Sequence, residues 1–311
     1  MAPEFDVEGR RLKLSNLDKV LYPVPGFTKG EVIDYYTRVA PALLPHLRGR
    51  ALTLKRYPNG VDGKYFYEKQ KPSHAPDWVK SRTIETGDRD IDFVICDDLP
   101  TLVWLANLAD IEMHPSLALA KDSDRPTVLA FDLDPGEPAA LPECREVALL
   151  LRDTLADLGL DCRAKTSGSK GMQVYVPLNT PVTYDDTKPF AQALAQLMER
   201  HHPKLIVSSM KKSLRGGKVF IDWSQNDDAK TTITPYSLRG LDRPFVAAPR
   251  TWDELLAVAR AHPGGIGMKG ALYEGLTCDV LPFVWAAGGG AVDFDDPGAR
   301  AAFKLFAQLA P

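Results

Sequence analysis

Hydrophobic and polar positions along this chain switch between a period of two and a period near 3.6, and the switches mark its elements. From Thr127 the run Thr-Val-Leu-Ala-Phe-Asp-Leu-Asp-Pro-Gly136 is apolar and β-branched, then alternates with acids and stops at Pro-Gly. That pattern predicts a buried strand ended by a turn. Met172 to Pro177 and Lys218 to Gln225 repeat the strand signature, and Arg11 to Leu14 and Asp161 to Lys165 are shorter versions. Ala51 to Gln70 predicts a hairpin turning at Asn59 to Gly63. Thr28-Lys-Gly-Glu31 is a capping box opening a helix whose stripe is Val32, Tyr35, Tyr36 and Val39. Ser15-Asn-Leu-Asp18 predicts another helix start just before it. Further helices are expected over Leu102 to Met113, closed by His114-Pro115, over Glu143 to Leu158, ended by Gly159, over Thr187 to Arg200 and over Trp252 to Ala261. Thr231 to Arg243 reads as loop and short strand, and Gly288-Gly-Gly290 as the connection to a last helix.

Composition narrows the class. With 311 residues, 44% hydrophobic and 25% charged, the chain can bury a large core as one large domain or two closely packed ones. No apolar run reaches the ~18 to 20 residues of a membrane helix, and Met1 to Asn16 lacks a signal-peptide core, so a cytoplasmic protein is expected. Cys96, Cys144, Cys162 and Cys278 show no Cys-x-x-Cys spacing and read as reduced and structural. A net charge of −3 argues against a histone-like binder of nucleic acid. It leaves room for a local basic groove: Lys55, Arg56, Lys64, Lys69 and Lys71 cluster, as do Lys204, Lys211, Lys212, Arg215 and Lys218, although solvated faces cluster in the same way.

The candidate chemistry starts at Asp132 and Asp134. Two residues apart on a strand, they leave one face roughly 6.6 Å apart, where their repulsion suits divalent cations; a pair of solvated acids at a turn fits as well. Asp222 ends another apolar strand, and three such carboxylates match the needs of two Mg²⁺ or Mn²⁺ ions. Thr166-Ser-Gly-Ser-Lys-Gly171 is a small-residue loop with a lysine, able to wrap phosphates, and lacks the Walker A order. Lys29 falls in a helix first turn, where the dipole disfavours a cation by ~0.3 to 1 kcal/mol unless an anion is present. Of the consecutive aromatics Tyr65, Phe66 and Tyr67, at least one must leave the core and can stack on a base. His114 reads most simply as a capping or core histidine.

In order along the chain, Phe131-Asp-Leu-Asp-Pro-Gly136, Thr166-Ser-Gly-Ser-Lys-Gly171 and Phe220-Ile-Asp222 resemble the three catalytic motifs of the polymerase domain of bacterial LigD, in the archaeo-eukaryotic primase superfamily. Leu14-Ser-Asn-Leu-Asp-Lys19, Lys55-Arg56-Tyr-Pro-Asn-Gly-Val-Asp-Gly63 and Glu112-Met-His-Pro115 are also similar to that family. The resemblance implies an α+β, archaeo-eukaryotic primase-like fold with an RRM-like catalytic sheet. It implies one LigD-type domain over 1–311, with a DNA- and 5′-phosphate-binding part about 1–90 and a catalytic part about 91–311. The implied activity is DNA-dependent nucleotide transfer that fills short gaps or extends broken ends, with a preference for ribonucleotides. Asp132, Asp134 and Asp222 would hold two divalent cations, Mn²⁺ or Mg²⁺. Ser167 and Lys170 would bind the triphosphate, with Lys55, His114 and Arg239 near the incoming nucleotide and Gln225 beside the metal strand. Asn16, Lys19 and Lys29 match a pocket for a 5′-phosphate, and Phe66 and Tyr67 match aromatics that stack on template. Many relatives have His where this chain has Gln173, which donates a hydrogen bond but carries no charge. The chain resembles the stand-alone mycobacterial form, Prim-PolC, so the implied partners are gapped or broken duplex DNA with a 5′-phosphate, NTP or dNTP, an ATP-dependent DNA ligase and Ku, in the nucleoid. Two rivals remain at this stage. A haloacid-dehalogenase-type phosphatase would need a doubly wound parallel sheet. A non-catalytic DNA-end bridging module would use the carboxylates only as strand caps.

Overall fold

In this computed structural model, which describes residues 3–87 and 89–261, strand alternation sorts the Val128–Pro135 strand into two faces. Leu129, Phe131 and Leu133 enter a hydrophobic core, while Asp132 and Asp134 leave on the opposite face. The strand lies third in a six-stranded sheet with the order Ile206–Val207, Val219–Asp222, Val128–Pro135, Met172–Pro177, Arg163–Thr166, Pro249–Arg250. Every pairing in it is antiparallel except that of Ile206–Val207 with Val219–Asp222. Helices α3 (Leu141–Asp157) and α4 (Tyr184–His201) cover one face: Val147, Leu151, Leu155, Ala191, Leu194 and Met198 pack on Phe131, Leu133, Val174 and Ile221. One face is therefore apolar and covered, and the other carries the polar row. A mixed α/β fold of this kind has no doubly wound parallel sheet, which removes the phosphatase reading.

A second core joins helix α1 (Lys29–Leu47), helix α2 (Leu99–Asn107) and a three-stranded sheet ordered Phe66–Glu68, Leu52–Arg56, Asp110–Pro115. Tyr236, Leu238 and Val246 from late in the chain belong to this core. Thr232 and Thr234 donate their amides to the carbonyls of Pro115 and Met113, so the segment after Thr231 stitches the two parts together. The capping box at Thr28 forms as expected: Thr28 Oγ1 accepts from the Glu31 amide, and Glu31 Oε2 accepts from the Thr28 amide. Trp252–Ala261 is helical, and the three described cysteines, Cys96, Cys144 and Cys162, are free and buried. Cys278 and the Gly288-Gly-Gly290 connection lie outside the described residues.

Three expectations need correction. Ser15 to Asp18 starts no helix: Asn16 takes a φ of 54°, and the chain turns into the Val20–Tyr22 strand, paired with Phe27–Thr28. Pro23 and Pro25 follow within a few residues, leaving too few for the costly helix nucleus. The helix expected over Leu102 to Met113 is instead Leu99–Asn107, capped by Asp98 and stopped where Ala109 takes a φ of 56°. Asp110–Pro115 beyond it is a strand, because Ile111 and Met113 alternate with Glu112 and His114 in register with Leu52–Arg56. His114 is a strand residue, not a helix cap. The expectation that at least one of Tyr65, Phe66 and Tyr67 leaves the core holds, for all three are exposed, at 52%, 43% and 58%.

Candidate active site

The register of the large sheet builds the site. Asp132 stands directly opposite Asp222 on one neighbouring strand and opposite Gln173 on the other, and Gln173 stands opposite Lys165. Directly paired residues share a face. Asp222, Asp132, Gln173 and Lys165 therefore form one polar row across four strands, with Asp134 two residues further along. Burial, the neighbouring Asp134 charge and then that of Asp222 push the Asp132 carboxyl up to about 7 against the pull of Lys165 and a Gln173 hydrogen bond. Asp134 is also raised, by burial and by Asp222, while Arg215 opposes the shift. Asp222 is held by three donors: the Ser224 amide at 2.9 Å and hydroxyl at 2.6 Å on Oδ1, and Gln225 Nε2 at 2.8 Å on Oδ2.

These are hard oxygen donors crowded by like charge, the donor set that divalent magnesium or manganese takes. Among the described residues no three His, Cys, Asp or Glu side chains are already drawn around one point. A cation would relieve the repulsion among the three carboxylates. The residues fit the ions.

Behind the row, Lys165 is 2% exposed and its Nζ has no hydrogen-bond partner. Burial lowers its pKa to about 7 against the pull of Asp132. A cavity of about 760 Å³ lies beside Lys165, lined also by Arg50, Arg163, Tyr175 and Arg250, and does not reach Asp132, Asp134 or Asp222. The carboxylates thus lie outside that cavity, Asp132 and Asp222 half-buried and Asp134 exposed.

The loop Ser167 to Gly171 closes on itself. Ser167 donates its amide to the Gly171 carbonyl, and Ser167 Oγ accepts from the Ser169 and Gly171 amides. A Cβ at Gly171 would stand 2.1 Å from the Leu133 carbonyl oxygen, so glycine lets this loop lie against the Val128–Pro135 strand. Lys170 points into solvent, 76% exposed, with Glu137 Oε1 at 3.5 Å.

Lys55, His114 and Arg239 come together, from the Leu52–Arg56 strand, the Asp110–Pro115 strand and the late stitching segment. Lys55 Nζ also lies 4.4 Å from the Tyr65 ring centre and 5.7 Å from that of Tyr67. Alternation separates the aromatics: Tyr67 pairs with Lys55 on this side, while Phe66 pairs with Arg56 on the other, its ring 5.2 Å from the guanidinium carbon. On that other side stand the residues expected for a 5′-phosphate. Lys19 donates to Asn59 Oδ1 at 3.3 Å, and the Lys29 amide donates to the Lys19 carbonyl. Lys29 is 6% exposed and its Nζ donates to the Ser15 carbonyl at 2.7 Å. Asn16 makes the turn that aims Ser15 at it. The sequence reading gave no role to Glu112, Lys165, Ser224 or Asn226. Glu112 and Lys165 stand at the polar positions of alternating strands, so no local signal marked them.

Three comparisons with known proteins place this fold and its row of carboxylates in a family. The model of the LigD primase-polymerase domain matches residues 28–266. The multifunctional non-homologous end joining protein LigD of Mycolicibacterium smegmatis is 47% identical over 247 residues, 79% of this chain and 32% of that protein. The bifunctional non-homologous end joining protein LigD of Bacillus subtilis is 35% identical over 246 residues, 79% of this chain and 39% of that protein. The solved polymerase domain of Mycobacterium tuberculosis Ligase D in complex with DNA superposes with a TM-score of 0.74 at 42% identity, covering 82% of this chain and 96% of that one. This chain belongs to the LigD primase-polymerase family. It spans about a third of the length of the curated relatives it matches.

Proposed function

We propose that this chain is a DNA-dependent polymerase that fills short gaps or extends ends in break repair, prefers ribonucleotides and recognises a downstream 5′-phosphate. The observation that carries the reading is the register that sets Asp222 opposite Asp132, with Asp134 on the same face of an open sheet. Asp132, Asp134 and Asp222 would hold two divalent cations, Mn²⁺ or Mg²⁺, which when bound supply Lewis acidity to the primer 3′-hydroxyl and neutralise charge on the leaving pyrophosphate. The chain's own task is positioning. Ser224 and Gln225 keep the Asp222 carboxylate turned to the shared face. Lys55, His114, Arg239, Ser167 and Lys170 present N–H and O–H donors to a triphosphate, and no side-chain nucleophile is needed. Tyr67 and Phe66 offer ring faces for bases, and Asn16, Lys19 and Lys29 form the 5′-phosphate pocket. Duplex DNA is the macromolecular partner, and an ATP-dependent ligase and Ku are the partners such a repair step calls for.

The test is nucleotide incorporation on a gapped duplex, with ribo- and deoxynucleotides and each metal in turn. Asp132→Ala and Asp134→Ala are expected to abolish incorporation while DNA binding and cooperative unfolding persist, because each removes a charge from a repelling cluster. Unchanged turnover in either variant leaves the end-bridging reading in place of this one.

A further inference from the structure

Glu112 is 2% exposed, yet its two oxygens meet five donors. Oε1 accepts from Lys55 Nζ at 3.0 Å, the Tyr57 hydroxyl at 2.9 Å and the Gly240 amide at 3.0 Å. Oε2 faces His114 Nε2 at 3.1 Å and Arg239 Nη1 at 3.5 Å. We propose that Glu112 is the positioning residue of the nucleotide site, a buried anion that gathers Lys55, His114 and Arg239 and sets the direction each presents to the incoming nucleotide. The inference rests on those three residues binding nucleotide.

The chemistry excludes other uses of this carboxylate. An ionised carboxylate offers about four lone-pair sites, and five donors saturate them. A saturated, buried group has no lone pair left for a cation. Burial alone would push the Glu112 carboxyl up, but the His114 hydrogen bond and the charges of Arg239, His114 and Lys55 outweigh it and hold the group well below the usual carboxylate range. The cluster thus favours the ionised form of Glu112.

Its charge also explains how the cluster exists. Lys55 and Arg239 are two basic residues with side chains only 12% and 18% exposed, and among the described residues each has Glu112 as its ion-pair partner. Two cations against one anion leave the cup net positive, which suits a triphosphate. Lys55 and Arg239 also keep donors in reserve. A lysine ammonium has three N–H groups, of which one goes to Glu112, and Arg239 Nε is buried with no partner. A carboxylate only accepts, so the His114 Nε2 that faces Glu112 carries a proton. The arrangement is built from the backbone as well: a Cβ at Gly240 would stand 2.1 Å from the Tyr57 ring, so only glycine lets that amide reach Glu112.

The experiment uses the whole chain with Glu112→Gln and Glu112→Asp. In a folded Glu112→Gln variant the nucleotide KM is expected to rise tenfold or more, with kcat changed less than threefold and affinity for gapped DNA within twofold. The His114 ring, followed by NMR without nucleotide, should titrate at lower pH, because the one group that raises its pKa is gone. Glu112→Asp keeps the charge but withdraws it by one methylene, so it should show a smaller rise in KM and a smaller His114 shift. An unchanged KM together with an unchanged His114 titration in folded Glu112→Gln overturns the proposal. Loss of cooperative unfolding in both variants also overturns it, by assigning Glu112 to the fold. Lys55→Ala separates the two layers: if it leaves nucleotide KM unchanged, the nucleotide-site reading fails, whereas a weakened Lys55→Ala beside a normal Glu112→Gln rejects Glu112 alone.

Discussion

At Lys29 two demands meet on one ammonium. It occupies the first turn of α1, where the helix dipole disfavours it, and the Ser15 carbonyl offsets part of that cost. Burial first, then the charges of Lys19 and Arg56, lower its pKa to about 8 from 10.5. Between those two values the unfolded chain binds more protons than the folded one, so this residue's contribution to stability grows as pH rises from about 8 to 10.5. A terminal phosphate would act in the opposite sense, since its two negative charges favour the protonated amine. Binding to a gapped duplex is therefore expected to tighten by roughly 1 to 3 kcal/mol at low salt when the downstream strand carries a 5′-phosphate. That gain should shrink between pH 7 and pH 9 as free Lys29 loses its proton, and it should vanish in a Lys19→Ala, Lys29→Ala double variant. Anisotropy on substrates that differ only in the phosphate reads all three. Equal affinity for both ends at pH 7 would leave Lys29 as a lysine tied to Ser15 and nothing more.

Among the elements, the Val128–Pro135 strand depends on a side chain the sequence pattern hid. Asn226 is fully buried; its Oδ1 accepts from the Ala130 amide, and its Nδ2 donates to the Ala130 and Trp223 carbonyls. The asparagine amide imitates a neighbouring strand just before Asp132, where the Val219–Asp222 pairing has ended. Asn226→Leu leaves Ala130 N–H and C=O buried and unpaired, at about 1 to 3 kcal/mol for each group. Denaturant melts should move by that order, and incorporation should fall even where the variant remains folded, because the strand that aims Asp132 loosens. The cap of α1 gives a smaller effect. Thr28→Ala removes the acceptor for the Glu31 amide and should cost ~1 kcal/mol in the same melt. A shift in the second as large as in the first would mean that the strand end does not depend on Asn226.

For the whole molecule, a net charge of −3 conceals where the cations are. Lys19, Lys29, Arg56 and Phe66 lie on one side of the small sheet, and Lys55, Arg239 and Tyr67 on the other, so an acidic protein presents local positive surfaces. Affinity for gapped DNA is expected to fall by about tenfold or more between 50 and 200 mM salt, linearly on logarithmic axes. A flat salt dependence would show that phosphates are not what these cations meet. Among the described residues no helix is long and apolar enough to cross a membrane.

Asp132, Asp134 and Asp222 were legible because a strand's period of two is local: neighbouring residues alone decide that acids at the end of an apolar run share a face. The Thr28 capping box and the amphipathic α1 were legible for the same reason, since three or four residues close the motif. Burial undid the reading elsewhere. The pattern from Leu102 to Met113 suits a helix until Ala109 turns, and only pairing with Leu52–Arg56 makes its second half a strand. Glu112, Lys165 and Asn226 look like ordinary polar residues in sequence, because what makes each one matter is a partner far along the chain: Gly240, 128 residues away, Asp132 across two strands, and Ala130, 96 residues away. Local periodicity set which side chains could leave the core together; the register between distant strands decided which of them meet, because a hydrogen-bonded ladder specifies cross-strand neighbours that no short stretch of chain contains.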